Sequence, residues 1–341
     1  MRVAIFVYLL SLLCFDCFGA EYMKVKTVEE YTGDIEAVAY SPDGKFVAIA
    51  TSNTWGIPIF DTTTWKKVAA PDDNDSWITS VAFSKDGKIL AAADRKKKVV
   101  LYNTATWKSF EVVKAGFMVN SIALNQDGSL LVIVGDDGGA LLWNVKDNKL
   151  IKKLNQHQEI LTVAFSPDNM HFATGGRDNW VTIWNLTGMI VKFLSGHNQS
   201  VRTVAYSPDG MYLVSGSDDN EKPFILWDIN TGKMIHTFKH TVENGCAAAF
   251  GSDNETLAIG DCRISFDLSL LRQARNSMGS CTIVLHNIKT EKIIQVIGKD
   301  ADNTFSNASC GLAGLAFSPD MKYLVAGYEK GDRRLIIFER K

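Results

Sequence analysis

Cysteine is absent from the whole stretch between Cys17 and Cys246, and only seven prolines and six histidines are spread over 341 residues. No His-Glu-x-x-His pair, Gly-x-Ser-x-Gly elbow, phosphate-binding glycine loop or Gly-x-Gly-x-x-Gly turn occurs. None of the common metalloprotease, serine-hydrolase or nucleotide-dependent chemistries is therefore written in the chain. The formal net charge is −2, and the longest cationic run, Arg95-Lys96-Lys97-Lys98, has no interleaved aromatics, which argues against a nucleic-acid partner. Beyond the first twenty residues there is no long apolar run, and a helical period shows only between residues 263 and 280.

What the chain does have is a repeat. Tyr40, Phe83, Leu124, Phe165, Tyr206, Phe250 and Phe317 are each followed three residues later by Asp43, Asp86, Asp127, Asp168, Asp209, Asp253 or Asp320. The spacing is about 41 residues until the last gap, which stretches to 67. A fixed period of this size marks one supersecondary unit stacked repeatedly. In the clearest copies a short strand runs into Ser-Pro-Asp-Gly, a type I turn with proline at its first central position. A second strand follows, then a polar loop, then an apolar strand ending in pairs such as Tyr102-Asn103, Trp143-Asn144, Trp184-Asn185 and Trp227-Asp228. Short strands with turn punctuation predict an all-β fold.

These endings, the Ser-Pro-Asp-Gly turns and the Gly196-His197 pair resemble the WD-repeat β-propeller family over residues 22–341. The resemblance implies a seven-bladed ring of four-stranded antiparallel sheets. It also implies a buried hydrogen-bonded row in each blade, of which blade 4 has every member: His157, Thr174, Asp178 and Trp184. Blade 5 has His197, Ser215 and Trp227, with Asp219 two residues out of place. Blade 3 keeps Asp137 and Trp143 but has Ile133 where the hydroxyl belongs. Blades 1, 2, 6 and 7 lack the row and are expected to rely on apolar packing.

Periodicity supports the ring independently of any family. Ala39, Ala82, Ala123, Ala164, Ala205, Ala249 and Ala316 precede the aromatic positions, and small residues stand two places earlier. The other face of the same strand carries Val38, Val81, Ile122, Val163, Val204, Ala248 and Leu315. A small face opposed to a large one suits an inner strand, where one blade fills the hollow of the next. After Leu335–Phe338 no fourth strand remains for the last repeat. The alternating segment Met23–Val28 is predicted to supply it and close the ring.

Residues 1–20 read as a secretory signal peptide: a basic start, the apolar run Val3–Phe18 and a small-residue exit at Gly19-Ala20. The alternatives are an extra buried strand or an uncleaved anchor. Cys246, Cys262, Cys281 and Cys310 all fall in blades 6 and 7. Disulfides Cys262–Cys281 and Cys246–Cys310 are one reading, and four buried free thiols the other. Five Asn-x-Ser/Thr sites, at Asn74, Asn185, Asn198, Asn254 and Asn307, would permit glycosylation.

Irregularity marks the expected working face. Blade 6 inserts Arg263–Ser280 between its second and third strands, and a long loop, Gly298–Ser309, leads into blade 7. Within the insert Phe266, Leu270, Ala274 and Met278 recur every fourth residue, predicting a short amphipathic helix either packed down or offered to a partner. The candidate contact residues are Arg272, Arg275, Asp300, Asp302 and Phe305, with Arg95, Lys96, Lys97 and Lys98 on the same face. The alternative reading of the four cations is as solvated guards of a strand edge. The chain is therefore expected to be a secreted, lumenal or periplasmic binding platform for a protein or peptide. It should need no cofactor or metal, bind no nucleic acid and have no stable membrane insertion. The alternatives are a cytosolic scaffold, or a propeller hydrolase or lyase built on a carboxylate pair formed across blades.

Overall fold

A computed structural model describes residues 21–28, 33–52, 56–74, 76–155, 158–219, 221–238, 245–261, 282–297, 311–329 and 334–341. Twenty-eight strands form seven four-stranded antiparallel sheets, and the only helical turn among the described residues is a short 3₁₀ segment, Asp136–Gly138. Six blades use four consecutive strands. The seventh runs Gly311–Phe317, Tyr323–Glu329 and Leu335–Arg340, and is completed on its outside by Tyr22–Val28. The expected closure of the ring by the N-terminal strand is thus observed.

The bottom turns explain the repeated acid. In blade 1 the Ser41 hydroxyl donates to Asp43 (2.6 Å) and accepts from the Phe46 amide (2.9 Å), while Gly44 N–H closes the turn on the Ser41 carbonyl (2.9 Å). The same serine–aspartate pair recurs at Ser84–Asp86, Ser166–Asp168, Ser207–Asp209 and Ser318–Asp320. The exit residue is left-handed, with φ of 72° at Gly44 and 60° at Asn169, where glycine and asparagine meet the least strain.

The small-face, large-face pattern becomes the packing between blades. Ala37 and Ala39 of blade 1 pack against Ile78, Val81 and Tyr102 of blade 2. Val38 and Tyr40, on the opposite face, pack against Val325 and Ile337 of blade 7. Seven such clusters, one per seam, replace a central core. Bulk would not fit at the small positions: a Cβ on Gly314 would lie 3.0 Å from Val38 of the next blade.

The buried rows differ from expectation in one blade. In blade 4 the Trp184 indole donates to Thr174 (2.9 Å), while His157 lies outside the described residues. In blade 5 Trp227 donates to Ser215 (2.7 Å) and His197 Nε2 shares that hydroxyl (2.7 Å). His197 Nδ1 meets the Lys222 carbonyl (3.0 Å), because Asp219 instead accepts the Asn198 amide (2.9 Å). In blade 3 the Trp143 indole N–H is buried without a partner, as Ile133 requires. Blade 2 corrects the reading that it relies on apolar packing alone. Tyr102 donates to Asn74 (2.8 Å), Asn74 reaches Asp94 (3.4 Å), and Asp94 accepts from the Lys98 amide (3.1 Å). Asn74 is only 1% exposed, which removes it as a glycosylation site in the folded chain.

Candidate partner-binding face

Every inner strand contains a β-bulge near its start. The register breaks between Ile35 and Ala37, Ile78 and Ser80, Val119 and Ser121, Ile160 and Thr162, Val201 and Thr203, Gly245 and Ala247, and Leu312 and Gly314. The extra residue is Glu36, Thr79, Asn120, Leu161, Arg202, Cys246 or Ala313. A bulge turns its extra residue out of the ladder, so all seven sit around one face of the ring. In blades 1 to 5 the residue that follows the second strand stands next to the extra residue, its amide bonding the carbonyl of the residue preceding the first strand, as Asp136 does to Met118 (3.0 Å) and Arg177 to Glu159 (3.0 Å). The up-and-down order of each sheet opens the loops between second and third strands, and between blades, on this same face.

In blades 3 to 5 these positions form a charged arc. The Asn120 amide faces Asp136 (3.3 Å), Glu159 (3.2 Å) and the Ile160 carbonyl (3.0 Å). Arg177 donates to Glu159, and Arg202 donates to Asp218 (2.5 Å). A carboxylate pair across blades, left open by the sequence, is therefore formed by Asp136 and Glu159. Burial and the Glu159 charge raise the Asp136 pKa. Burial also pushes Glu159 up, but hydrogen bonding and charge from Arg177 outweigh it and hold that carboxyl below its ordinary value. Asn120 bridges the pair and Arg177 neutralises it, so the arrangement presents fixed hydrogen-bond donors and acceptors to whatever lies on the face. Among the described residues no group of three or more His, Cys, Asp or Glu could hold a metal.

The cationic loop of blade 2 lies on this face. Arg95 stacks over the exposed Trp77 ring, 4.6 Å from its centroid, and Lys98 donates to the Asp73 carbonyl (2.6 Å). Lys96 and Lys97 are exposed, and Lys97 is left-handed at φ 69°. The corresponding residues in blades 3 and 4 are Gly138 and Asn179, each also at φ 69°. Arg272, Arg275, Asp300, Asp302, Phe305, Cys262, Cys281 and Cys310 lie outside the described residues.

Sequence reasoning found the small positions of the inner strand and passed over the residue just before them. The available signal was variability: Glu36, Thr79, Asn120, Leu161, Arg202, Cys246 and Ala313 occupy one slot of an otherwise uniform repeat.

Residues 65–103, 110–144, 148–185 and 188–221 match the family model described as WD domain, G-beta repeat. The chain is a WD40-repeat β-propeller. No curated protein matches it. The matched stretches of this WD40 propeller begin at Trp65, just before the outer strand of blade 1, and end past the second strand of blade 5. They include the indoles Trp143 and Trp184, and the first two strands of blade 5 with Ser215. A WD40 propeller is typically a non-catalytic protein-interaction scaffold.

Proposed function

We propose that this protein is a non-enzymatic scaffold that receives a protein or peptide partner on the bulged face of the ring, in a secreted or lumenal compartment. The observation that carries the binding reading is the alignment of seven bulges, which directs one non-uniform residue per blade to a single face. Binding residues concentrate where a rigid scaffold tolerates variation. The insert of blade 6 and the loop entering blade 7 join strands that end at this face, which supports Arg272, Arg275, Asp300, Asp302 and Phe305 as further proposed contacts. The compartment reading rests on the N-terminal signal pattern and on the cysteines confined to blades 6 and 7.

The test is capture of partners from the native source by cross-linking, with Asp136→Lys/Glu159→Lys and Arg272→Glu/Arg275→Glu variants compared with the unmodified chain. The expected result is loss of a specific partner without change in melting temperature. Retention of every partner by both variants would move the contact surface off this face. Intact mass of protein from its source checks the compartment: loss of about twenty residues is expected, and an intact N-terminus with four free thiols would support the cytosolic alternative.

A further inference from the structure

The seven outer strands carry a charge pattern unlike the chain as a whole. YMKVKTV, KVA, KSFEVVK, KLIKKLN, IVKFLS, MIHTF and KIIQVI together hold ten lysines and a single carboxylate, Glu111. The whole chain has net charge −2, so the circumference is cationic and the acids lie elsewhere. The pattern is densest where blades 3 and 4 meet. Lys149, Leu150, Ile151, Lys152 and Lys153 are consecutive and all exposed on the outer strand Lys149–Asn155. On the outer strand of blade 4, Ile190–Ser195, Phe193 packs edge-on against Trp180 with ring centroids 5.0 Å apart. Both rings remain open to solvent, at 50% and 43% exposure, and Ile190 and Val191 beside them are exposed too.

The two rims are one surface. A Cβ on Gly188, which precedes the blade 4 outer strand, would lie 2.7 Å from the stem of Lys152 and 2.7 Å from Leu154. Lys192 does not add to the available charge, because its ammonium donates to the carbonyls of Ile229 (2.7 Å) and Asn230 (3.0 Å) in the next blade. Exposed apolar side chains interleaved with lysines on a monomer mark a contact surface, and the charge says what kind.

We propose that the rim of blades 3 and 4 adsorbs onto an anionic lipid bilayer. A second copy of the chain would set Lys149, Lys152 and Lys153 against themselves. An acidic soluble partner would pair the lysines and leave Leu150, Ile151 and Phe193 wet. An anionic bilayer meets both needs at once: headgroup phosphates take the ammonium groups, and the shallow interfacial layer takes the aliphatic side chains and the Trp180–Phe193 pair. Among the described residues no helix is long and apolar enough to cross a membrane. The rim's lysines lie on the outer strand, away from the inner-strand bulges, while Trp180 adjoins the bulged face at the end of the blade 4 loop.

Vesicle co-sedimentation tests this with the whole mature chain. Phosphatidylcholine vesicles carrying roughly 30% phosphatidylserine should retain the protein, and pure phosphatidylcholine vesicles should not. Each lysine near such a surface contributes roughly fivefold, so Lys149→Glu/Lys152→Glu/Lys153→Glu should weaken retention about a hundredfold. The three corresponding arginine substitutions should leave it unchanged. Phe193→Ser should weaken retention without altering its salt dependence. All these side chains are exposed, so unchanged melting temperatures verify that the variants fold. Equal retention by neutral vesicles, full retention of the glutamate variant, or concentration-dependent dimerisation abolished by that variant would each overturn the proposal.

Discussion

Tyr40 and Tyr206 place a hydroxyl where Phe83, Phe165, Phe250 and Phe317 have none, and both hydroxyls are buried without a hydrogen-bond partner. A buried unpaired hydroxyl costs about 1–3 kcal/mol, so Tyr40→Phe and Tyr206→Phe are each expected to keep or raise stability by about 1 kcal/mol. A urea midpoint that falls for either variant would reveal a partner for that hydroxyl. Trp143 offers the complementary experiment. Ile133→Thr supplies the acceptor that Thr174 and Ser215 supply in blades 4 and 5, offsetting the apolar contact it removes. Ile49 stands in the equivalent place in blade 1, two residues beyond the Val47 that pairs with Phe60, a ring with no N–H to satisfy. Ile49→Thr should therefore cost about 2 kcal/mol more than Ile133→Thr in paired denaturation curves. The missing hydroxyl in blade 3 was legible in the sequence because the repeat aligns Ile133 with Thr174. The blade 2 row was not. A phenol carries its donor farther from the backbone than an indole does, so Tyr102 reaches Asn74 in the preceding loop, and no motif links those two positions.

At the level of elements, closure rests on the strand Tyr22–Val28. Its side-chain anchor is Tyr22, whose hydroxyl donates to the Met321 carbonyl (2.5 Å) and whose ring packs on Phe317 at 5.8 Å. Gln295 of blade 6 clasps the Tyr22 backbone from the other side, with both bonds at 2.8 Å. Met321 adopts φ 59°, a conformation costly for a methionine. Its side chain stays buried over Gly251, which has no Cβ to obstruct it. Removing Glu21–Val28 should expose the Leu335–Arg340 edge, and unpaired edges template association. Size-exclusion chromatography is expected to show aggregates. A monomer with an unchanged melting temperature would mean the strand is dispensable. The alternation of Met23–Val28 made this strand visible in the sequence. The bulges were invisible there, since an extra residue in a strand becomes apparent only against the register of its neighbour.

For the whole molecule, stability is spread over seven inter-blade seams, and buried ionisable groups set its pH range. Burial lowers the His197 pKa from 6.5 to about 4. As pH falls through 6.5 the unfolded chain takes up the proton first, so stability falls between pH 6.5 and 4 and the loss levels off below. The total is roughly 3 kcal/mol. The turn aspartates act lower. Burial raises Asp43, Asp86 and Asp168, but hydrogen bonds from the turn serines and backbone outweigh it and hold all three below 3.8. Their contribution is present above the ordinary carboxylate range and is lost as pH falls through the depressed values. Urea midpoints measured from pH 7 to 3 should therefore decline in two stages, and a flat profile between pH 7 and 5 would contradict the buried neutral state of His197. The repeat period, the alternation of small and large residues and the turn chemistry are local properties, and they determined the blade, its number and the strand that closes the ring. Which residues share the bulged face, the Asp136–Glu159 pair bridged by Asn120, and the joining of two blade rims into one cationic apolar surface arise between units about 41 residues apart. Only the closed ring brings such positions into contact, because sequence separation carries no distance until the blades pack.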